Sequence, residues 1–75
     1  MITQKEIKKY DPIQTAKKAY SLIISSQYSV EEVAWYLGIT DRTIYYWGEG
    51  KRAPSTQNLY ALSQLFEISI ESILV

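Results

Sequence analysis

YLGITDRTIYYWGEGKRAP, Tyr36 to Pro54, is the stretch whose reading decides the fold. Gly38 reads as the stop of a preceding helix, because glycine enters the left-handed conformation that such a stop requires without a Cβ penalty. Within two residues Thr40-Asp41 supplies a new start: a hydroxyl to cap the first amides, and a carboxylate where the helix dipole favours negative charge. A helix of about two turns, Asp41 to Trp47 or Gly48, fits before Gly50. Ile44 and Trp47 lie three apart and face inward, which leaves Asp41, Arg42, Tyr45 and Tyr46 on the outer side.

Upstream, Ser29-Val30-Glu31-Glu32 is a capping box, in which serine takes the amide of residue 32 and the glutamate reaches back. It opens a short helix from Val30 to Leu37, with Val33, Ala34 and Leu37 facing inward. Ala34 is small enough to let two helix backbones approach closely at their crossing. Further back, Asp11-Pro12 reads as N-cap and first helical position, where the missing N–H of proline is no loss. A first helix should run from there to about Gln27, with Ala16, Ala19, Tyr20, Ile23 and Ile24 as its apolar stripe. Residues 1–10 read as an N-terminal arm and residues 11–75 as one domain.

Downstream, Pro54-Ser55 opens a fourth helix, with Ser55 or Thr56 near its cap and Leu59, Leu62, Leu65 and Phe66 as its buried stripe. Ser69 can cap a last turn from Ile70 to Leu74, and Glu71 suits its positive start. There is no sustained alternation of period two and no Asn-Gly hairpin turn, so no strand is expected.

Composition narrows the function. The 75 residues allow one domain with one core, and an apolar share of 47% is too high for a disordered chain. No stretch approaches the roughly 20 apolar residues needed to span a bilayer. The opening MITQKEIKKY has charges but no apolar run behind it, so it does not read as a secretory signal. Cysteine and histidine are both absent, which removes disulfides, thiolate ligands and most nucleophile and general-base arrangements. A cytoplasmic module that is not an enzyme, with no cofactor and no metal, is expected. Net charge is zero, but its spread is uneven. Lys5, Lys8, Lys9, Lys17 and Lys18 face only Glu6 and Asp11 in residues 1–18, a balance of +3. Arg42, Lys51 and Arg52 face Asp41 and Glu49, a balance of +1. Glu31, Glu32, Glu67 and Glu71 supply the remaining negative charge.

Two short helices joined through a glycine, with no room to lie antiparallel, describe a helix-turn-helix. When such a unit binds DNA, the outer side of its second helix enters the major groove and the N-terminal residues of that helix meet base edges. Each candidate has two readings at this stage. Arg42 can take guanine O6 and N7 with two hydrogen bonds, or pair with a surface carboxylate. Asp41 can accept from a cytosine amine, or serve the helix start and orient Arg42. Tyr46 can meet a thymine methyl or a phosphate, or cover the edge of the core. Lys51 and Arg52, two cations beside a glycine turn, read as phosphate contacts, and Trp47 as core.

In this order and spacing the pieces resemble a known family. YSVEEVAWYLGITDRTIYYWGEGKRAPSTQNLYALSQLFEISIESIL, Tyr28 to Leu74, is similar to the Cro/XRE, phage-repressor-like, helix-turn-helix proteins. The resemblance covers about Asp11 to Leu74. It implies an all-α, four- to five-helix, lambda-repressor-like domain with a central helix-turn-helix, which acts as a DNA-binding transcriptional regulator of repressor type. Its partners would be double-stranded DNA and a second copy in a homodimer. Base-reading positions of the family fall on Asp41, Arg42 and Tyr46, with Tyr45 at the edge. Phosphate-holding positions fall on Ser29, Thr40, Thr43, Lys51 and Arg52. The apolar C-terminal run Ile70, Ile73, Leu74 and Val75 is the candidate dimer seam. Departures also stand out. Gly48 replaces a glutamate that is usual after the Trp47 position, and the first helix lacks the arginine that often pairs with it. Loss of both fits replacement of an ion pair by apolar packing. Val30 replaces the usual glutamine and Glu67 the usual glycine.

An alternative remains open on the same fold: an antitoxin-like or adaptor module that binds a protein. Trp35 and Tyr36, on the helix before the turn, are its candidate patch, because exposed aromatics favour interfaces. Equally, Trp35 could fold back against the first helix or the arm.

Overall fold

The computed structural model describes residues 10–75. Residues 1–9, which carry most of the expected arm with Lys5, Lys8 and Lys9, lie outside the described part. Four helices follow in order: α1, Pro12–Ile24; α2, Val30–Leu37; α3, Asp41–Glu49; and α4, Thr56–Leu65. A short 3₁₀ turn, Ile70–Ser72, ends the domain, and no strand occurs among the described residues.

The helix starts form as their residues dictate. Asp11 accepts from the amides of Ile13 and Gln14, both at 3.1 Å. At α2 the capping box closes in both directions: Glu32 N–H donates to Ser29 Oγ at 3.1 Å, and Ser29 N–H donates to Glu32 Oε1 at 2.9 Å. Thr40 Oγ1 accepts from Thr43 N–H, and Ser55 Oγ from Asn58 N–H.

The stops share one device. Gly38 adopts φ 72°, and Ile39 N–H returns to Ala34 O at 3.0 Å. Gly50 adopts φ 74°, and Lys51 N–H returns to Tyr46 O at 2.9 Å. Such a closure satisfies carbonyls that would otherwise be orphaned at the helix end. α4 stops in the same way without a glycine. Glu67 takes φ 56°, and Ile68 N–H returns to Ser63 O at 3.0 Å. A left-handed residue with a Cβ costs about 1–2 kcal/mol. Glu67→Gly is therefore expected to raise stability by about 1 kcal/mol in urea titration, with an unchanged slope.

α1 is shorter than the expected Asp11-to-Gln27 span. Ser26 ends it: its hydroxyl donates to Ile23 O at 2.6 Å and accepts from Tyr28 N–H at 3.2 Å. A serine that bonds the backbone in this way competes with helix continuation. The stripe is also rotated. Ile24 is exposed, and Thr15 is buried in its place beside Ala16, Ala19 and Ile23. At the other end α3 runs slightly longer than expected, to Glu49.

The core joins every element. Ala16, Ala19 and Ile23 of α1 meet Val33 and Ala34 of α2, Ile44 and Trp47 of α3, Leu59 and Leu62 of α4, and Ile73. Leu37, Leu65 and Phe66 are partly buried at its edge. Ile73 is 0% exposed, so it is a core residue of the monomer and not part of an outward seam. Ile70 and Leu74 are half-buried against the same core, and only Val75 of the proposed seam is exposed. Val75 is tied to α1: its N–H donates to Thr15 Oγ1 at 3.0 Å, and its carbonyl accepts from Asp11 N–H at 2.8 Å. This accounts for the buried threonine.

Candidate nucleic-acid interface

α1 packs most extensively on α3, and that contact fixes which side of α3 faces out. Ile44 and Trp47 enter the core. Gly48 lies under the ring of Tyr20, where an added Cβ would sit 2.7 Å from a ring carbon. An aromatic ring against a bare backbone thus occupies the place where the family resemblance implies an ion pair. Tyr20 also holds Tyr45, with ring centroids 6.2 Å apart and planes tilted by 57°.

The outer side of α3 presents Asp41 and Arg42, with Tyr45 at its edge beside α1, all exposed. Among the described residues Arg42 has no carboxylate partner; the ion pair found there is Lys51 with Glu49, at 3.3 Å. A guanidinium without a local partner keeps its five donors for another acceptor. Asp41 does not orient Arg42 through an ion pair. Its Oδ1 accepts from the Arg42 main-chain N–H at 2.9 Å, so it serves the helix start.

Tyr46 had two readings, a contact with DNA or cover for the edge of the core. It is half-buried, and the two cations of the following loop lie over its ring. Lys51 Nζ is 5.8 Å and Arg52 Cζ 5.4 Å from the centroid. Such stacking is worth about 0.5–1 kcal/mol at exposed sites. Tyr46 is thus a platform that holds Lys51 and Arg52 beside α3. Lys51 shares its charge with Glu49, so Arg52 is the less encumbered cation of the loop.

The hydroxyls at the helix starts are also placed. Thr40 Oγ1 and Thr43 Oγ1 lie 3.0 Å apart at the N-terminus of α3, a position that favours an anion. Ser29 is different. Its amide is bonded to Glu32, and the exposed Glu31 and Glu32 follow in the first turn. That end of α2 thus has its cap groups engaged with each other and carries two carboxylates. Trp35, left open between core and surface by its position, is 84% exposed and does not fold back.

The contributions of Tyr20 and of the Tyr46 platform escaped the sequence reading. The departure at Gly48 was the available signal for the first: a missing side chain in a packed helix implies a large neighbour. Nothing local signals the second, because the cations come from the loop beyond Gly50.

Two short helices joined through a left-handed glycine, with Ala34 buried between core elements and a polar and aromatic outer face on the second, define a helix-turn-helix. A family model described as helix-turn-helix matches residues 22–73, from within α1 to the final turn. The chain belongs to this Cro/C1-type helix-turn-helix family. The family is one of DNA-binding regulatory domains and not of enzymes, so at this level the chain is a DNA-binding regulator. No curated protein and no solved structure gives a significant match. Among the described residues no helix is long and apolar enough to cross a membrane, and no group of acidic residues is placed to hold a metal ion.

Proposed function

We propose that the chain is a sequence-specific transcriptional regulator of repressor type, which inserts α3 into the major groove of an operator and works as a homodimer. The observation that carries this reading is Arg42: exposed on the outer face of α3, near its N-terminus, with no carboxylate partner among the described residues. Arg42 reads guanine, with Tyr45 against the neighbouring base edge and Asp41 at the first turn. Thr40, Thr43, Lys51 and Arg52 hold phosphates on either side, and Tyr46 positions the last two. Ser29 drops out of the phosphate set for the electrostatic reason given above.

The dimer follows from magnitude. Three cations at the α3 face of one domain, one of them paired, release few counterions, so one copy binds weakly. Two copies on half-sites about 34 Å apart double the contacts. Because Ile73 is internal, the proposed seam lies at the exposed apolar residues around the domain's end: Val75 with Tyr10 and Ile13, which flank the Asp11 amide bonded to Val75.

The test begins with a duplex selected from a random pool by the full-length protein. Affinity for it and for a scrambled duplex is then measured at several salt concentrations. Arg42→Ala is expected to lower discrimination between the two by about 1–3 kcal/mol. Arg52→Ala should weaken both duplexes alike and reduce the salt slope by about 1. An unchanged ratio in Arg42→Ala would remove α3 as the reader. Footprinting on the selected duplex should show two protected half-sites, and a single half-site would overturn the dimer.

The exposure of Trp35 favours a second activity, binding of a protein partner by the exposed aromatic residues of α2. Failure of the folded protein to be retained on immobilised DNA at low salt would make that reading primary.

A further inference from the structure

An open groove of about 450 Å³ runs along α2, from Tyr28 before its start to Tyr36 in its last turn, and reaches Leu65 at the end of α4. Its walls are Tyr28, Trp35 and Tyr36, its base includes Val33 and Leu65, and Glu31 and Glu32 stand on it. Tyr28 is held in place by Phe66, with ring centroids 6.3 Å apart. Glu32 is held by its bond to the Ser29 amide. Trp35 and Tyr36 are exposed, and neither is paired with another ring among the described residues.

The faces of aromatic rings are electron-rich and attract cations, tryptophan most strongly. Two carboxylates beside such faces add attraction of the same sign and repel anions. No described residue meets this demand. Lys51 and Arg52 are stacked on Tyr46, and Lys17, Lys18 and Arg42 do not line the groove. Among the described residues Glu31 and Glu32 have no ion-pair partner.

We propose that this groove binds a basic segment of a partner protein, with an arginine side chain laid on the Trp35 indole and its guanidinium turned to Glu31. Arginine fits better than a compact ammonium, because its planar head stacks on a ring while its donors reach a carboxylate. The groove is open, and the indole is too exposed for a small free cation to cover it. A peptide covers it along its length. The surface serves an activity separate from DNA reading, since it uses no residue of the α3 face.

The test is the fluorescence anisotropy of a short labelled peptide of alternating glycine and arginine, titrated with the full-length protein at low salt. Saturable binding that weakens as salt rises is expected. Trp35→Ala should weaken it by roughly 3- to 30-fold, and Glu31→Gln by roughly 2- to 5-fold. The same peptide with citrulline for arginine should lose most of its affinity, while Tyr60→Ala, an exposed aromatic outside the groove, should change nothing. Far-UV circular dichroism of Trp35→Ala should match the parent. If that variant fails to fold, Glu31→Gln with the citrulline peptide carries the test. Wild-type affinity in both groove variants, or an equal loss in Tyr60→Ala, overturns the proposal. So does full competition by free arginine amide at the concentration of the peptide, which would mark a small-cation site. A gain in peptide affinity when Lys5, Lys8 and Lys9 are changed to glutamine also overturns it, because the chain would then be its own occupant. Unchanged affinity of Trp35→Ala for the selected duplex separates this outcome from any failure of the DNA reading.

Discussion

Ile73→Ala is expected to cost about 2–5 kcal/mol of stability, the usual range when a buried isoleucine is emptied to a methyl group. In a domain of this size each kcal/mol moves the melting temperature by about 4–8 °C. The reason is position. Ile73 is wholly buried with Ile23, Ile44, Trp47 and Leu62. Its main-chain N–H bonds Ile70 O at 3.0 Å, a bond that alanine keeps, so the expected loss is one of packing. Two residues on, Val75 is bonded to Thr15 and Asp11, so a void at Ile73 loosens the link between the end of the domain and α1. The loss should be the same in urea titrations at protein concentrations tenfold apart, because the contact lies within one chain. A loss that grows on dilution would instead place Ile73 at an intersubunit seam. A change below about 0.5 kcal/mol, the range of ordinary surface substitutions, would contradict its burial.

Gly48→Ala is expected to destabilise the domain by about 1–3 kcal/mol, the usual cost of overpacking. This reverses the ordinary rule, by which alanine in a helix interior gains about 1 kcal/mol over glycine. The reversal comes from Tyr20, whose ring would lie 2.7–3.0 Å from the new methyl. The ring has little room to retreat, since it also packs against Tyr45. The decisive measurement is a double-mutant cycle by chemical denaturation. In a Tyr20→Ala background the substitution at Gly48 should become neutral or stabilising by up to about 1 kcal/mol. The same sign in both backgrounds would mean that Tyr20 does not set the constraint. Because Tyr20 supports Tyr45, the single Gly48→Ala variant should also bind the selected duplex less well than its residual stability alone would imply.

Much of the fold was legible because its boundaries are set by neighbours in sequence. Asp11-Pro12, the Ser29–Glu32 box, Thr40, Ser55, Gly38 and Gly50 act on amides or carbonyls within about four residues, so the string of letters contains both partners. The outer face of α3 was legible for a similar reason: once Ile44 and Trp47 are inside, Asp41, Arg42 and Tyr45 have nowhere else to point. What escaped depended on distant partners or on competing local bonds. The seven residues from Ser69 to Val75 show which groups are apolar but not which one turns inward. That choice was made by the core, and it took Ile73. Tyr46 was open between DNA contact and core edge, and its stacking under Lys51 and Arg52 depends on a loop beyond Gly50. The end of α1 was misplaced because Ser26 could equally have continued the helix. At Glu67 the departure from glycine was visible, yet only the structure shows that the backbone keeps the left-handed shape regardless.

The two indoles occupy opposite extremes, Trp47 with 1% of its surface exposed and Trp35 with 84%. Their emission is therefore expected to differ in colour: Trp47 blue-shifted in its apolar surroundings and out of reach of a dissolved quencher, Trp35 red-shifted and open to a neutral quencher such as acrylamide. The unlabelled protein consequently carries two optical gauges. One registers the integrity of the interior, and the other registers whatever settles on the far side of α2.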